Sequence, residues 1–328
     1  AVDVLLDVVS HPGLAEDDVE GEREVILEEL AAAEDDPEDL VGVRLFESLF
    51  PGHPLGREVL GTSSTVETIR RDQIAGFFED WYQSHNLVVT GAGDVDHSVL
   101  VAAVEAAFPE HRADSAPQRI APNEQVESVL TETRSGELVH LAFGWRCGGV
   151  NDTDRFALAL LNHVFGTGPS SRLFQQVREE RGLTYSISSG VSQFSDAGAL
   201  SVQCATSPSK AAQLIAVVTE LVEDLCSVGI TAEELSRAKR SIRGGVLLGI
   251  EDSGARGARL GISETLRGSV TPLDEHLNSI DSVTQEQVLL AAQRVLGSGT
   301  VLAAVGPASQ GAGDKQLGSA IEGLEHLV

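Results

Sequence analysis

A helix-then-strand pattern occurs twice in this 328-residue chain, and that repetition constrains the fold more than any other feature. Ile69-Arg70-Arg71-Asp72-Gln73-Ile74 stands against Val283-Thr284-Gln285-Glu286-Gln287-Val288, an offset of 214 positions. At the same offset Phe77, Trp81 and Tyr82 meet Ala291, Val295 and Leu296, and Leu87-Val88-Val89 meets Val301-Leu302-Ala303. A constant offset across helix, loop and strand marks a duplicated unit. The length agrees, since it suits two domains of ordinary size. His111–Asn123 (HRADSAPQRIAPN) is polar, holds two prolines and shows no periodicity, so it reads as a linker between domains 1–110 and 124–328.

The duplication also carries a length argument. If the second unit begins near Asn123, Val283 lies about 160 residues into it, whereas only 68 residues precede Ile69. Equal units then predict about 90 residues ahead of Ala1. The chain contains no Met, and Ala1–Val9 lacks the basic start of a signal peptide. It reads as the middle of an amphipathic helix with Val2, Leu5, Leu6 and Val9 on one face. The expectation is a first unit truncated at its N-terminus.

Periodicity and breakers predict helices over Glu16–Ala33, Leu40–Leu49, Thr65–Tyr82, Asp96–Phe108, Thr153–Phe165 and Arg172–Arg181, with three more helical segments across Pro208–Val295. Strands are predicted at Asn86–Gly93, Glu127–Thr133, Leu138–Trp145, Thr184–Ser192, Gly198–Thr206 and Thr300–Val305. No run of eighteen apolar residues exists, which excludes a helical membrane span within the sequence on length. The net charge of −27 has the wrong sign for a phosphate-neutralising surface, so nucleic acid is not an expected partner. It would suit a cationic peptide, although solubility is the simpler reading. Three cysteines without metal-type spacing argue against a disulfide framework and for a reducing, cytoplasmic setting.

Two residue pairs could carry chemistry. Glu22 and Glu29 are seven apart on a predicted helix, nearly two turns, so both carboxylates face one way about 10.5 Å apart along the axis. One would be a metal ligand and the other an outer partner, but from spacing alone an exposed acidic face is the simpler reading. Arg178 and Tyr185 flank Gly182, which can end a helix. A guanidinium and a phenol converging at a helix–strand junction could stabilise an oxyanion. From spacing alone an Arg that offsets the helix dipole and a Tyr packed on the sheet is the simpler reading. Gly166-Thr167-Gly168-Pro169-Ser170-Ser171 is no phosphate loop, because no Lys follows and Pro169 removes a donor. The nine histidines form no H-x-x-x-H or H-x-x-E-H pair, and no G-x-S-x-G elbow exists.

Several motifs, taken together and in order, resemble the pitrilysin-type zinc peptidases, most closely the bacterial relatives of mitochondrial processing peptidase. They are Glu22-Arg23-Glu24-Val25-Ile26-Leu27-Glu28-Glu29, Glu34-Asp35-Asp36-Pro37-Glu38-Asp39, His53-Pro54-Leu55-Gly56-Arg57, Ser170-Ser171-Arg172-Leu173-Phe174 and Arg178-Glu179-Glu180-Arg181-Gly182-Leu183-Thr184-Tyr185. The resemblance implies an α+β fold of two homologous α/β domains, each a mixed or antiparallel sheet packed with helices. It implies an H-x-x-E-H motif binding Zn2+, with Glu29 as the third ligand and Glu22 as its outer partner. That motif is expected about 50 positions ahead of Ala1. It implies Arg178 and Tyr185 as catalytic oxyanion donors, and Gly166, Gly168, Ser170 and Ser171 as part of a substrate-binding loop. The expected activity is zinc-dependent endopeptidase, acting on peptides or unfolded segments and assembled as a homodimer. Without the His pair, these residues alone are expected neither to bind zinc tightly nor to cleave peptides. The alternative is a non-catalytic partner subunit of the same fold that binds peptide or a catalytic sister chain.

Overall fold

The computed structural model describes residues 2–108, 119–123, 125–126 and 129–307; linker positions 111–118 and the first two residues of the strand predicted at Glu127–Thr133 lie outside the described residues. In chain order the helices are α1 (Val2–Ser10), α2 (Glu16–Asp35), α3 (Pro37–Leu49), α4 (Ser63–Thr68), α5 (Arg71–Trp81), α6 (His97–Ala107), α7 (Arg155–Gly166), α8 (Pro208–Ser227), α9 (Ala232–Gly249), α10 (Ser253–Arg267), α11 (Leu273–Ser282) and α12 (Gln285–Val295). The strands are β1 (Val129–Thr133), β2 (Val139–Cys147), β3 (Ile187–Gln193), β4 (Gly198–Thr206) and β5 (Val301–Gly306). The region Pro208–Val295 thus holds five helices rather than three.

The residues form two compact units, one of 1–31, 59–120 and 245–271, the other of 32–58, 121–244 and 272–328. Moving 32–58 by the repeat offset gives 246–272, so each half of the sequence contributes the counterpart segment to the other unit. The repeat itself is visible in the elements. Helix α5 moved by the same offset has the bounds of α12. The kink before each is matched: Ile69 has φ −65° and ψ 135°, Val283 φ −62° and ψ 135°. Each following N–H is capped by a Gln three residues on, Arg70 by Gln73 Oε1 at 2.9 Å and Thr284 by Gln287 Oε1 at 2.8 Å. This cap starts a new helix inside the single one predicted over Thr65–Tyr82.

In the second unit the sheet order is β1-β5-β2-β4-β3, with β1 and β5 parallel and every other pair antiparallel. The period-2 alternation of side chains sorts large from small. Leu141, Phe143, Trp145, Leu200, Val202 and Leu302 enter one core, which α7, α8 and α12 also supply. Ala142, Ala199, Val301, Ala303 and Val305 face the other way, to a core completed by α3. Helix α3 starts because Asp36 accepts the Glu38 N–H at 2.9 Å and Pro37 occupies its first turn. Its Leu40, Val41, Leu45 and Leu49 are buried. A Cβ added to Gly144 would lie 2.8 Å from Leu45 Cδ1 and Leu49 Cδ1. Gly144→Val therefore overpacks this contact, with an expected loss of about 1–3 kcal/mol in denaturant-unfolding stability.

The first unit places α10 on the extended segment 87–92. Thr90 Oγ1 donates to the Gly257 carbonyl at 3.1 Å, and a Cβ on Gly261 would touch Thr90 Oγ1 at 3.4 Å. The repeat maps this segment onto β5, yet it joins no ladder among the described residues, which corrects the strand predicted at Asn86–Gly93. A strand is defined by its neighbours; Val88 and Val89 are 41% and 40% exposed, whereas β5 is paired on both sides and buried throughout. Helix α1 lies against α6 but buries only Leu6; Val2 and Leu5, expected on the same apolar face, are exposed. No helix among the described residues is long and apolar enough to cross a membrane. The three cysteines are free thiols, and burial pushes Cys147 and Cys204 up to about 12.

Candidate active site

The helix predicted over Arg172–Arg181 is instead a π-helix at Phe174–Glu180. Such wider turns are rare and recur at functional positions. This one begins beneath Ser171, which is buried and donates its hydroxyl to the Gly168 carbonyl at 2.7 Å. It ends at Gly182, whose φ of +56° suits glycine and whose N–H reaches the Arg178 carbonyl at 3.1 Å. Leu173 and Val177 are wholly buried, which anchors one side of the segment in the core. Tyr185 lies two residues ahead of β3 rather than opening the strand.

Two arginines of the segment are treated in opposite ways. Arg172 is saturated: Nε and Nη2 donate to the Glu234 carboxylate at 2.7 and 2.8 Å, Nη1 to Asp224 at 2.7 Å, and Nη2 also to the Gly229 carbonyl at 2.9 Å. That clamp ties the loop to α8 and the start of α9. Burial raises the Glu234 carboxyl, but the Arg172 fork and Thr231 outweigh it and hold it at about 2, below the ordinary 4.5. The folded value lies below the unfolded one, so this stabilisation is complete above about pH 4.5 and is lost as pH falls toward 2. Arg172→Leu should cost about 3 kcal/mol at neutral pH. Its melting temperature should also fall less than that of the wild type on acidification through this window, a difference read from thermal melts of both.

Arg178 has no hydrogen-bond acceptor for its guanidinium among the described residues; its nearest charge is Glu179 Oε1, 3.7 Å from Nε. It is held by rings instead, with its Cζ 4.6 Å from the centroid of Phe174 and 5.2 Å from that of Tyr185. The predicted pair is thus brought together, and its donors make no hydrogen bond among the described residues. Tyr185 is 86% exposed, so packing on the sheet does not account for it. It lines a cavity of about 510 Å3 with Glu38, His140, Thr184 and Lys210. Phe174 is not singled out as a site residue by the sequence patterns above; its signal is the position four before Arg178, on the same face of the predicted helix.

The predicted loop residues divide by role. Gly166 is packed so closely that a Cβ would lie 2.4 Å from Ser189 Oγ, and Gly168 has φ +80°. Ser171 turns inward, and of the four predicted residues Gly168 and Ser170 are exposed. In the first unit, α2 is continuous through Glu22 and Glu29, both exposed and without an ion pair or hydrogen bond among the described residues. Arg23 between them donates to the carbonyls of Val66 and, at 2.8 Å, Ile69, fastening α2 to the end of α4. No group of three His, Cys, Asp or Glu that could hold a metal occurs among the described residues.

Comparison with known proteins gives a consistent set of likenesses. Residues 1–63 match the model of insulinase (peptidase family M16), and residues 68–242 that of the peptidase M16 inactive domain. An uncharacterized zinc protease of Mycobacterium leprae is 40% identical over 312 residues, covering 94% of this chain and 70% of its own length. One from Bacillus subtilis is 31% identical over 307 residues, covering 94% and 75%. Among solved structures, a peptidase M16 inactive domain from Pseudomonas fluorescens matches with a TM-score of 0.83 at 24% identity, over 93% of this chain and 74% of that one. A protease from Helicobacter pylori matches at 0.83 and 19%, over 93% and 76%. A chain of complex III2 from Candida albicans matches at 0.81 and 18%, over 99% and 79%. The likeness to these structures concerns the fold.

Proposed function

On the premise that the chain belongs to peptidase family M16, we propose that the protein is a zinc-dependent endopeptidase in which Arg178 and Tyr185 stabilise the oxyanion and Glu29 is one metal ligand. The observation that carries this is the Arg178 guanidinium, held by two aromatic faces with its donors unspent beside an exposed phenol. When a peptide carbonyl becomes tetrahedral, negative charge develops on its oxygen. Donors already in place lower that barrier without reorganising. A planar fork and a hydroxyl are suited to the task.

The metal is a property of the family, whose curated relatives are named zinc proteases. Zinc at a catalytic site takes three protein ligands and keeps a fourth position open. Glu29 supplies one, and this sequence holds no H-x-x-E-H. These residues do not by themselves make the zinc centre, and the chemistry assigned to them is that of Arg178 and Tyr185. The substrate is a peptide or unfolded segment, and the charge of −27 favours a cationic one. A homodimer in the cytoplasm completes the proposal.

The protein expressed from its complete gene should bind one zinc per chain and hydrolyse a quenched fluorescent peptide until a chelator is added. A second reading is a non-catalytic subunit of the same fold. It is favoured by the match of residues 68–242 to the peptidase M16 inactive domain. A folded full-length protein without bound zinc and without hydrolysis would sink the peptidase proposal and favour that reading.

A further inference from the structure

We propose that Phe174 is a positioning residue that holds the Arg178 guanidinium ready for its substrate; the catalytic consequence rests on the function proposed above. The contrast with Arg172 carries the inference. A carboxylate that holds a guanidinium also consumes its donors, as Glu234 and Asp224 do around Arg172. An aromatic face attracts the cation through its quadrupole and leaves the N–H edge free. Phe174 and Arg178 lie four residues apart in the π-helix, and their contact is 4.6 Å from centroid to Cζ. The burial of Leu173 and Val177 fixes the backbone that carries both. Phe174 is itself half-buried. Tyr185, at 86% exposure, has no comparable support. Phe174 is therefore the better supported of the two faces, and Tyr185 the exposed second one.

The experiment has one readout that needs no activity. In the 328-residue chain labelled with 15N-arginine, the Arg178 Nε–Hε resonance is assigned by its loss in Arg178→Lys. In the wild type the Phe174 ring should displace it upfield of the exposed arginines. Phe174→Leu should return it toward them, and Phe174→Tyr, which keeps the ring, should leave it in place. An unchanged resonance in Phe174→Leu, or an equal change in both variants, would overturn the proposal.

The second readout uses the protein from the complete gene. Phe174→Leu should lower kcat by about 10-fold with KM little changed, Phe174→Tyr should restore it, and Phe174→Leu should add nothing in an Arg178→Ala background. An equal loss in that background would mean that Phe174 acts independently of Arg178. A wild-type protein that hydrolyses no peptide fails the proposed function, not the positioning, which the ring shift then decides alone.

Discussion

Tyr185→Phe in the protein from its complete gene should reduce kcat by about 10²–10³-fold while KM changes little, the pattern for loss of one oxyanion donor. The interaction is strongest in the transition state because the charge it meets develops only there. The substitution removes one hydroxyl from a side chain that is 86% exposed, so the melting temperature should not move. Arg178→Lys should be similarly costly, since a point charge on another stem replaces a planar fork resting on Phe174. Steady-state kinetics with one peptide, alongside zinc content and a thermal melt, checks both variants. Normal kcat in a Tyr185→Phe protein with full zinc would remove Tyr185 from the mechanism.

Residues 121–328 expressed alone should fail to fold cooperatively, and residues 32–58 supplied as a second chain should rescue them. This follows from the exchange of segments between units. Without 32–58 the second unit loses Leu40, Val41, Leu45, Leu49 and Phe50, each at most 4% exposed, from the core over Ala142 and Ala303. Burial of such side chains is worth about 1.5–3 kcal/mol each, so their sum rivals the roughly 5–15 kcal/mol by which a domain is stable. The unit also loses the Arg44–Glu132 pair at 2.7 Å and the Leu49 carbonyl that accepts from Arg146 Nε at 2.5 Å. Circular dichroism during heating distinguishes the outcomes. A fragment that melts as sharply, and as high, as the complete chain would show that the borrowed helix is dispensable.

Much of this molecule is legible in its sequence. The repeat follows from residue identity alone, and it reaches the level of single caps: Gln73 and Gln287 perform the same local hydrogen bond because helix initiation depends on residues within one turn. Gly182 ends the segment that carries Arg178 for a similarly local reason, since a positive φ suits glycine. Motif resemblance singles out Arg178 and Tyr185, although spacing alone favours a Tyr packed on the sheet and the structure leaves it exposed.

What tertiary structure decided is everything that depends on a distant partner. Leu87-Val88-Val89 and Val301-Leu302-Ala303 have the same pattern, yet among the described residues only the second is a strand. A ladder needs neighbours, and β1 and β2 flank β5 alone. The acidic run around Glu34–Asp39 gave no hint that α3 would serve the other unit, because an apolar stripe specifies that a face is buried and not against what. Arg172 and Arg178 are chemically identical in the sequence. One became a structural clamp and the other a guanidinium without a hydrogen bond among the described residues because folding brought Glu234 and Asp224 to the first, and the rings of Phe174 and Tyr185 to the second.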